Sequence, residues 1–575
     1  MFSGAFLSII NDSFTFDETA HIGAGYSYLV KQDYRLNPEH PPLIKNIAAL
    51  PLLFLDLNFP EEHSSWQEGN PAQWWAQFDF ANQFIYHSGN NPQTILIWSK
   101  LPMIIILILL GFLIFAFAKK FFGFKVALLS LIFFVFSPTF IAHGRLITTD
   151  VGAALGFLLA TYFWLNFLEK PNKKNIILAG LAFGLALLIK FSLALLIPFF
   201  LVITPFYIFL FRKPFWRYIG LSLLVGLIGL VFVVWPVYAF NTAHYPAERQ
   251  LSDTLAVLES NPMGMLKSLD IAMVKTPVLR PLGHYLLGLL MATHRTATGN
   301  SVYLMGMLSG TGWWFYFPLI YLLKVPLAFH ILTLIVIIFI LSHLIKNKIY
   351  SGFLTKTKEW LRNNFPVLAM IVFLVIYWSV SMSGKLNIGI RHVLPTFPFI
   401  YILVSLGIVT MVSRIRKRIW KRLIVIILGV LLGWYVFSSI NVFPHYLSYY
   451  NELAGGTDNG YKYAVDSNYD WGQDMKRLKN WLAKESDKRN INYLKIDYFG
   501  GGDAEYYFGD KYQSFDPKKG PTKGWLAISV NQLQAGLGKP VSKKEFSGET
   551  GYYEWIKNYQ PVARAGKSIF IYEIK

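Results

Sequence analysis

The sequence predicts a mainly α protein: a polytopic bundle of transmembrane helices with a small C-terminal α/β domain on its outer face. Three observations predict it. Hydrophobic residues make up 54% of the chain and charged residues only 15%, against about 25% charged in soluble proteins. The mean hydropathy is +0.40, and the apolar surplus is confined to residues 95–440. After Asn441 the texture changes to the mixed, punctuated runs of a soluble domain.

Runs long enough to cross a bilayer, roughly 17–25 residues, fall at 95–118, 125–143, 150–168, 218–239, 318–345, 365–382, 394–413 and 421–440. The apolar block 176–211 is broken at Lys190-Phe191-Ser192 and reads as a hairpin of two spans, which brings the expectation to about ten.

Basic residues orient these spans. Lys119, Lys120 and Lys125, then Lys170, Lys173 and Lys174, then Arg212, Lys213 and Arg217, then the clusters Lys346 to Arg362 and Arg414 to Arg422 fall on one side. The opposite connections carry only Arg145, Lys190, Lys385 and Arg391. The crowded side is cytoplasmic by the positive-inside rule. The net charge of +20 is therefore largely a topology signal, and nucleic-acid binding is disfavoured. The chain has no cysteine, so it has neither a disulfide nor a thiolate metal site.

Three stretches result: residues 1–94 as an outer-face loop with interfacial helices, 95–440 as the bundle with an outer loop at 240–312, and 441–575 as the soluble domain. Residues 43–57 have the look of an interfacial helix. The outward stretch 1–94 has no span before it, and Met1–Ile10 lacks a signal peptide's basic region. The expectation is a further span encoded upstream of Met1. In the tail, Leu494–Phe499, Trp525–Val530 and Ser568–Ile574 read as strands, and Gln473–Lys484 reads as an amphipathic helix.

The polar residues on the outer face carry the chemistry. Asp17-Glu18 lies in a polar N-terminal stretch beside the bundle, and ionisable groups at a lipid boundary tend to be functional. A carboxylate there can take a hydroxyl proton; the plainer alternative is a cap on a helix starting near Thr19. His21, Glu39 and His40 are potential metal ligands at irregular spacing, so no cofactor is assigned and a divalent metal stays open, with Glu39 and His40 also candidates for substrate contact. Arg145 and Asp150 are either an ion pair closing a short loop or a phosphate contact and a second cavity acid. Lys385, Arg391 and His392 sit in another outer connection, where a guanidinium suits a phosphate and headgroup snorkelling is the alternative. Trp313 and Trp314 fit an interfacial aromatic belt or a substrate contact. The segment Asp466–Asp474, with Asp470 and Trp471, either binds sugar or caps the following helix.

Together these segments resemble the phospholipid-carrier-dependent glycosyltransferases of the GT-C class, a group that includes the protein O-mannosyltransferases and the lipid A aminoarabinose transferases. The matching pieces are Asp17-Glu18, Glu39-His-Pro-Pro-Leu43, Arg145 with Asp150, Gly312-Trp-Trp-Phe-Tyr-Phe-Pro318 with Lys324-Val-Pro326, and Asn387-Ile-Gly-Ile-Arg-His-Val-Leu-Pro395. Pro444–Gly456 and Asp466–Asp474 are similar to the tail of a bacterial branch. The resemblance implies a GT-C-like fold in the plasma membrane with its active face extracytoplasmic. It implies a polyprenyl-phosphate sugar donor, mannosyltransferase-like transfer with inversion, and a protein, lipid or glycan acceptor. Asp17 then matches the catalytic acid position and would serve as base, with Asp150 as a second acid and Arg391 meeting the phosphate. A transporter or flippase of lipid-linked sugars is the rival reading and would use Lys190 and Lys324 within the spans. An assembly protein anchored by the bundle ranks third.

Overall fold

The computed structural model describes residues 1–259, 264–347, 353–542 and 545–575. The basic cluster from Lys346 to Arg362 lies partly outside the described residues. Eight of the described helices are long and apolar enough to cross a membrane: Pro92–Phe122, Asp150–Glu169, Phe191–Phe211, Phe215–Asn241, Leu327–Ile345, Phe365–Ser383, Ile390–Arg414 and Arg418–Asn441. The chain is an integral membrane protein.

The count differs from the ten expected because two apolar runs fold into shorter pieces. The run at 125–143 stops at Val135 after a 12-residue helix. Ser137 then caps a new helix, Pro138–His143, that starts on a proline. A 12-residue helix is only ~18 Å long. The first half of the 176–211 block is the 15-residue helix Lys173–Leu187, which ends short of Lys190.

Residues 1–94 form several short helices. The helix Phe16–Lys31 has as its N-cap Thr15, whose N–H donates to the Glu18 carboxylate at 2.8 Å while Glu18 N–H donates to Thr15 O at 3.2 Å. It therefore begins on Thr15, earlier than the start near Thr19 that the sequence offered. The stretch 43–57 forms Leu43–Ala49 and Leu50–Phe54. Leu50, Leu53 and Phe54 lie exposed on it, as an interfacial segment requires.

The tail forms the helix Met475–Arg489 and a five-stranded sheet in the order Tyr512–Ser514, Leu494–Asp497, Gly524–Ser529, Ile569–Ile574, Ala563–Ala565. The three strands read from the sequence are its centre, with Leu526 opposite Lys495 in parallel and Tyr572 in antiparallel register. A second small sheet joins Val302–Leu304 and Met307–Ser309, which follow the helix Arg280–Thr298, to Lys539–Pro540 of the tail.

The N-terminal stretch is sewn to the tail through the backbone. Ser13 N–H donates to Gln473 O at 3.1 Å, Phe16 N–H to Trp471 O at 3.0 Å, and Gly501 N–H to Phe14 O at 3.2 Å. Lys324, fully buried, donates to Leu447 O at 2.8 Å and Asn468 O at 2.5 Å. These bonds and the small sheet draw residues 1–94, the stretch 240–312, the tail and the ends of the spans around one cavity.

Candidate active site

The cavity has a volume of about 800 Å³ and is lined by residues from all four regions, among them Asp17, Glu39, Arg295, Arg391, Asp466 and Trp471. Its charged floor follows from local structure. Asp17 sits in the first turn of Phe16–Lys31, where an acid suits the helix dipole. Arg391 lies in the turn Ile390–Thr396 that leads into a span. The tail fixes that turn: Asn468 Oδ1 accepts from Ile390 N–H at 2.9 Å, and Ser467 Oγ donates to Ile388 O at 2.5 Å. Gly389 is needed there because a Cβ would stand 2.1 Å from Ser467 Oγ.

Arg391 Nη1 donates to Asp17 Oδ2 at 2.9 Å and lies 3.5 Å from Asp150 Oδ2. Its guanidinium stacks over Trp471 at 4.2 Å. Asp150 opens the span Asp150–Glu169 and is buried. Lys190 Nζ donates to its Oδ1 at 2.6 Å. The group alternates in sign, Asp17, Arg391, Asp150, Lys190, so each buried charge has a partner, as burial demands. Asp17 keeps 24% of its side chain exposed, against 1% for Asp150, and is the acid of this group that lines the cavity.

At the rim, Arg295 Nη1 donates to both Glu39 oxygens, at 2.9 and 2.8 Å. Asp466 adopts a positive φ of 57°. Burial pushes its carboxyl up to about 6 against the pull of Arg391.

The other sequence candidates have different surroundings. Glu18 is fully buried, accepts from Thr15 N–H at 2.8 Å and Ile147 N–H at 2.9 Å, and pairs with Lys100 at 3.1 Å. It locks the N-terminal helix onto the bundle and does not reach the cavity. Arg145 does not pair with Asp150: it is buried against Asp12 and donates to Ser8 O at 3.0 Å. Asp470 is buried in the tail and accepts from Asn531 N–H at 3.0 Å; burial pushes its carboxyl up to about 7. Lys385 is exposed and Trp314 is 68% exposed. Trp313 N–H donates to Asn387 Oδ1 at 2.6 Å, joining two of the sequence motifs. None of Lys385, Trp313 and Trp314 lines the cavity. His392 follows Arg391 and anchors the turn through its carbonyl, which accepts from Tyr377 Oη at 2.7 Å.

His21 and His40 meet edge to face at 5.1 Å, and the His21 Nδ1 lies 2.7 Å from Ile147 O. Burial lowers the affinity of both rings for a proton. Glu39 is committed to Arg295. Among the described residues no three of His, Cys, Asp and Glu come together as a metal-ligand set.

Sequence reasoning left Arg295 without an assigned role, held Asp466 only as part of the segment that binds sugar or caps a helix, and gave Lys190 to the transport reading. Lys190 broke an apolar block, which was a usable signal for a paired charge at a span's end. Both lysines proposed for transport are engaged, Lys190 with Asp150 and Lys324 with backbone carbonyls.

Residues 89–238 match the family model described as dolichyl-phosphate-mannose-protein mannosyltransferase. Among solved structures, the chain is similar to ArnT from Cupriavidus metallidurans bound to undecaprenyl phosphate, at 11% identity and a TM-score of 0.45, covering 99% of this chain and 95% of that one. It is also similar to the Archaeoglobus fulgidus oligosaccharyltransferase in the apo form, at 10% identity and a TM-score of 0.45, covering 84% of this chain and 59% of that one. No curated protein matches. Of the motif residues, Arg145 and Asp150 fall within the matched stretch 89–238. The class of protein that the fold defines is an integral membrane protein with eight long apolar helices among the described residues, similar over residues 89–238 to that mannosyltransferase family.

Proposed function

We propose that this protein transfers a single sugar from a polyprenyl-phosphate carrier to an acceptor hydroxyl, with inversion, at the extracytoplasmic face of the plasma membrane. The observation that carries the reading is the Asp17–Arg391 contact of 2.9 Å at the floor of the cavity, with Asp150 3.5 Å from the same guanidinium nitrogen. A carboxylate and a fixed cation side by side are what an inverting displacement from a phosphate leaving group needs.

In this mechanism the acceptor hydroxyl attacks the anomeric carbon as Asp17 takes its proton. The bond from that carbon to the phosphate oxygen breaks, and polyprenyl phosphate departs with the electron pair. Arg391 meets the charge that builds on the phosphate, a fixed dipole where charge develops. Asp150 and Lys190 hold Arg391 in place from below. The carrier's lipid chain lies among the span ends, and the distribution of basic loops supports the outward orientation. The family description supports mannose as the first sugar to try.

The test uses purified full-length protein given several polyprenyl-phosphate sugars, mannose among them, with release of free carrier phosphate measured. Release that depends on an added acceptor supports the reading. Movement of intact donor between leaflets without carrier release returns the protein to the transport class.

A further inference from the structure

The cavity has two unlike ends. Arg391 is buried at the floor beside Asp150, which opens a span and also pairs with Lys190, whereas Arg295 keeps 33% of its side chain exposed at the rim. Between rim and tail stands an aromatic wall. Trp75 is 61% exposed, and it meets Trp74 at 4.8 Å and Phe16 at 6.3 Å. Phe16 stacks on Phe499 of the tail at 5.0 Å and 13°. Arg295 lies 5.4 Å from the Trp74 ring. Phe16, Trp74, Trp75 and Phe499 all line the cavity.

We infer that this wall is the acceptor subsite and that the acceptor is a carbohydrate, held with a pyranose ring against Trp75 and its hydroxyls toward Glu39 and Arg295. The inference rests on the glycosyltransferase reading and names its acceptor. A sugar ring has an apolar C–H face and a polar rim, and it needs a flat apolar surface flanked by donors and acceptors. Aromatic rings with a wet edge supply the first, and the Glu39–Arg295 pair supplies the second. A lone tryptophan exposed on a surface needs no account, but one set in a cavity mouth among other rings does. Peptide recognition commonly adds a strand to an open sheet edge. Among the described residues, none lining this cavity lies in a strand, so a peptide main chain would find no ladder to join. The deep end, beside the spans, suits a lipid-carried donor, and the rim suits an acceptor arriving from water.

The experiment compares wild type, Trp75→Ala and Trp75→Phe as full-length proteins with a polyprenyl-phosphate sugar donor. The acceptors are a set of short oligosaccharides and a serine- and threonine-rich peptide. The expected result is transfer to at least one oligosaccharide, with an acceptor KM raised tenfold or more in Trp75→Ala. Trp75→Phe should restore most of the affinity, and the donor KM should move less than twofold in either variant. Transfer to the peptide and to no oligosaccharide overturns the acceptor assignment while leaving the glycosyltransferase reading intact. A donor KM that rises in step with the acceptor KM puts Trp75 on the donor side and also overturns it. Absence of carrier release with every donor and acceptor removes the glycosyltransferase reading, and the acceptor subsite falls with it.

Discussion

Arg391 Nη1 donates to Asp17 Oδ2 at 2.9 Å across 374 residues of chain. The pair joins the helix Phe16–Lys31 to the opening turn of the seventh long apolar helix, with the tail's Trp471 ring centred 4.2 Å from the guanidinium. Three separate parts of the sequence therefore meet at one ion pair, which is also the contact on which the proposed chemistry depends.

Asp17→Asn should lower transfer by about 10²–10⁴-fold, the usual contribution of a general base. The amide keeps the shape and can still contact the cavity, so thermal unfolding in detergent should match wild type. Turnover with a saturating donor checks the first expectation and a melting curve the second. Near-normal turnover would remove Asp17 from the mechanism.

For Arg391, truncation and conservative replacement separate two roles. Arg391→Ala should raise the donor KM by about 10–100-fold, the size of a lost hydrogen bond to a charged group. Arg391→Lys should retain part of the affinity, because a point charge remains while the planar stack on Trp471 is lost. Steady-state kinetics over a range of donor concentrations distinguish the two. Equal donor KM values in wild type and Arg391→Ala would leave the guanidinium a purely structural role.

Glu18, next to Asp17, should behave in the opposite way. Its carboxylate and Lys100 are both fully buried, and removing one partner of such a pair costs about 3–5 kcal/mol. Glu18→Ala also leaves the buried Thr15 N–H without its carboxylate acceptor. The expected outcome is a clear fall in melting temperature, with residual activity tracking the folded fraction. A variant that melts like wild type and is inactive would return Glu18 to the chemistry.

Asp466 sets a pH dependence. Burial raises its carboxyl to about 6 from the ordinary 3.8, so the folded protein holds this proton more tightly than the unfolded chain. Its contribution to stability is full below about 3.8 and is lost as pH rises through about 6. The same ionisation adds a negative charge beside Asp17 and Arg391, so affinity for an anionic donor should fall across that window. Donor affinity measured from pH 5 to 7 in wild type and Asp466→Asn, on the order of a one-unit interval either side of the transition, checks this. The asparagine variant should show a flatter profile, and an unchanged profile would assign the titration to another group.

Much of the architecture is legible along the chain. Length and continuity of apolar runs mark most of the spans, because a helix crossing lipid must satisfy its own backbone and bury apolar surface locally. Alternation and flanking turn residues mark the three central strands of the tail. The motifs around Asp17 and Arg391 single out two residues that do meet. What stays hidden is the pairing of charges. Glu18 and Asp17 are neighbours, yet adjacent residues on a helix do not face the same way, so one enters the packed interior and the other the cavity. Arg145 takes Asp12 as its partner, Asp150 takes Lys190 and Arg391, and Glu39 takes Arg295.

By itself, then, the sequence determined the membrane bundle, the strands of the tail and the residue types available to the cavity. Only the tertiary structure decided which acid is open, which cations neutralise which acids, and that Trp74, Trp75 and Phe499 share the wall of one cavity. Helix and strand periodicity are set by near neighbours in the chain. Ion pairing and cavity shape are set by distances of a few ångströms between segments hundreds of residues apart, and no local pattern encodes those distances.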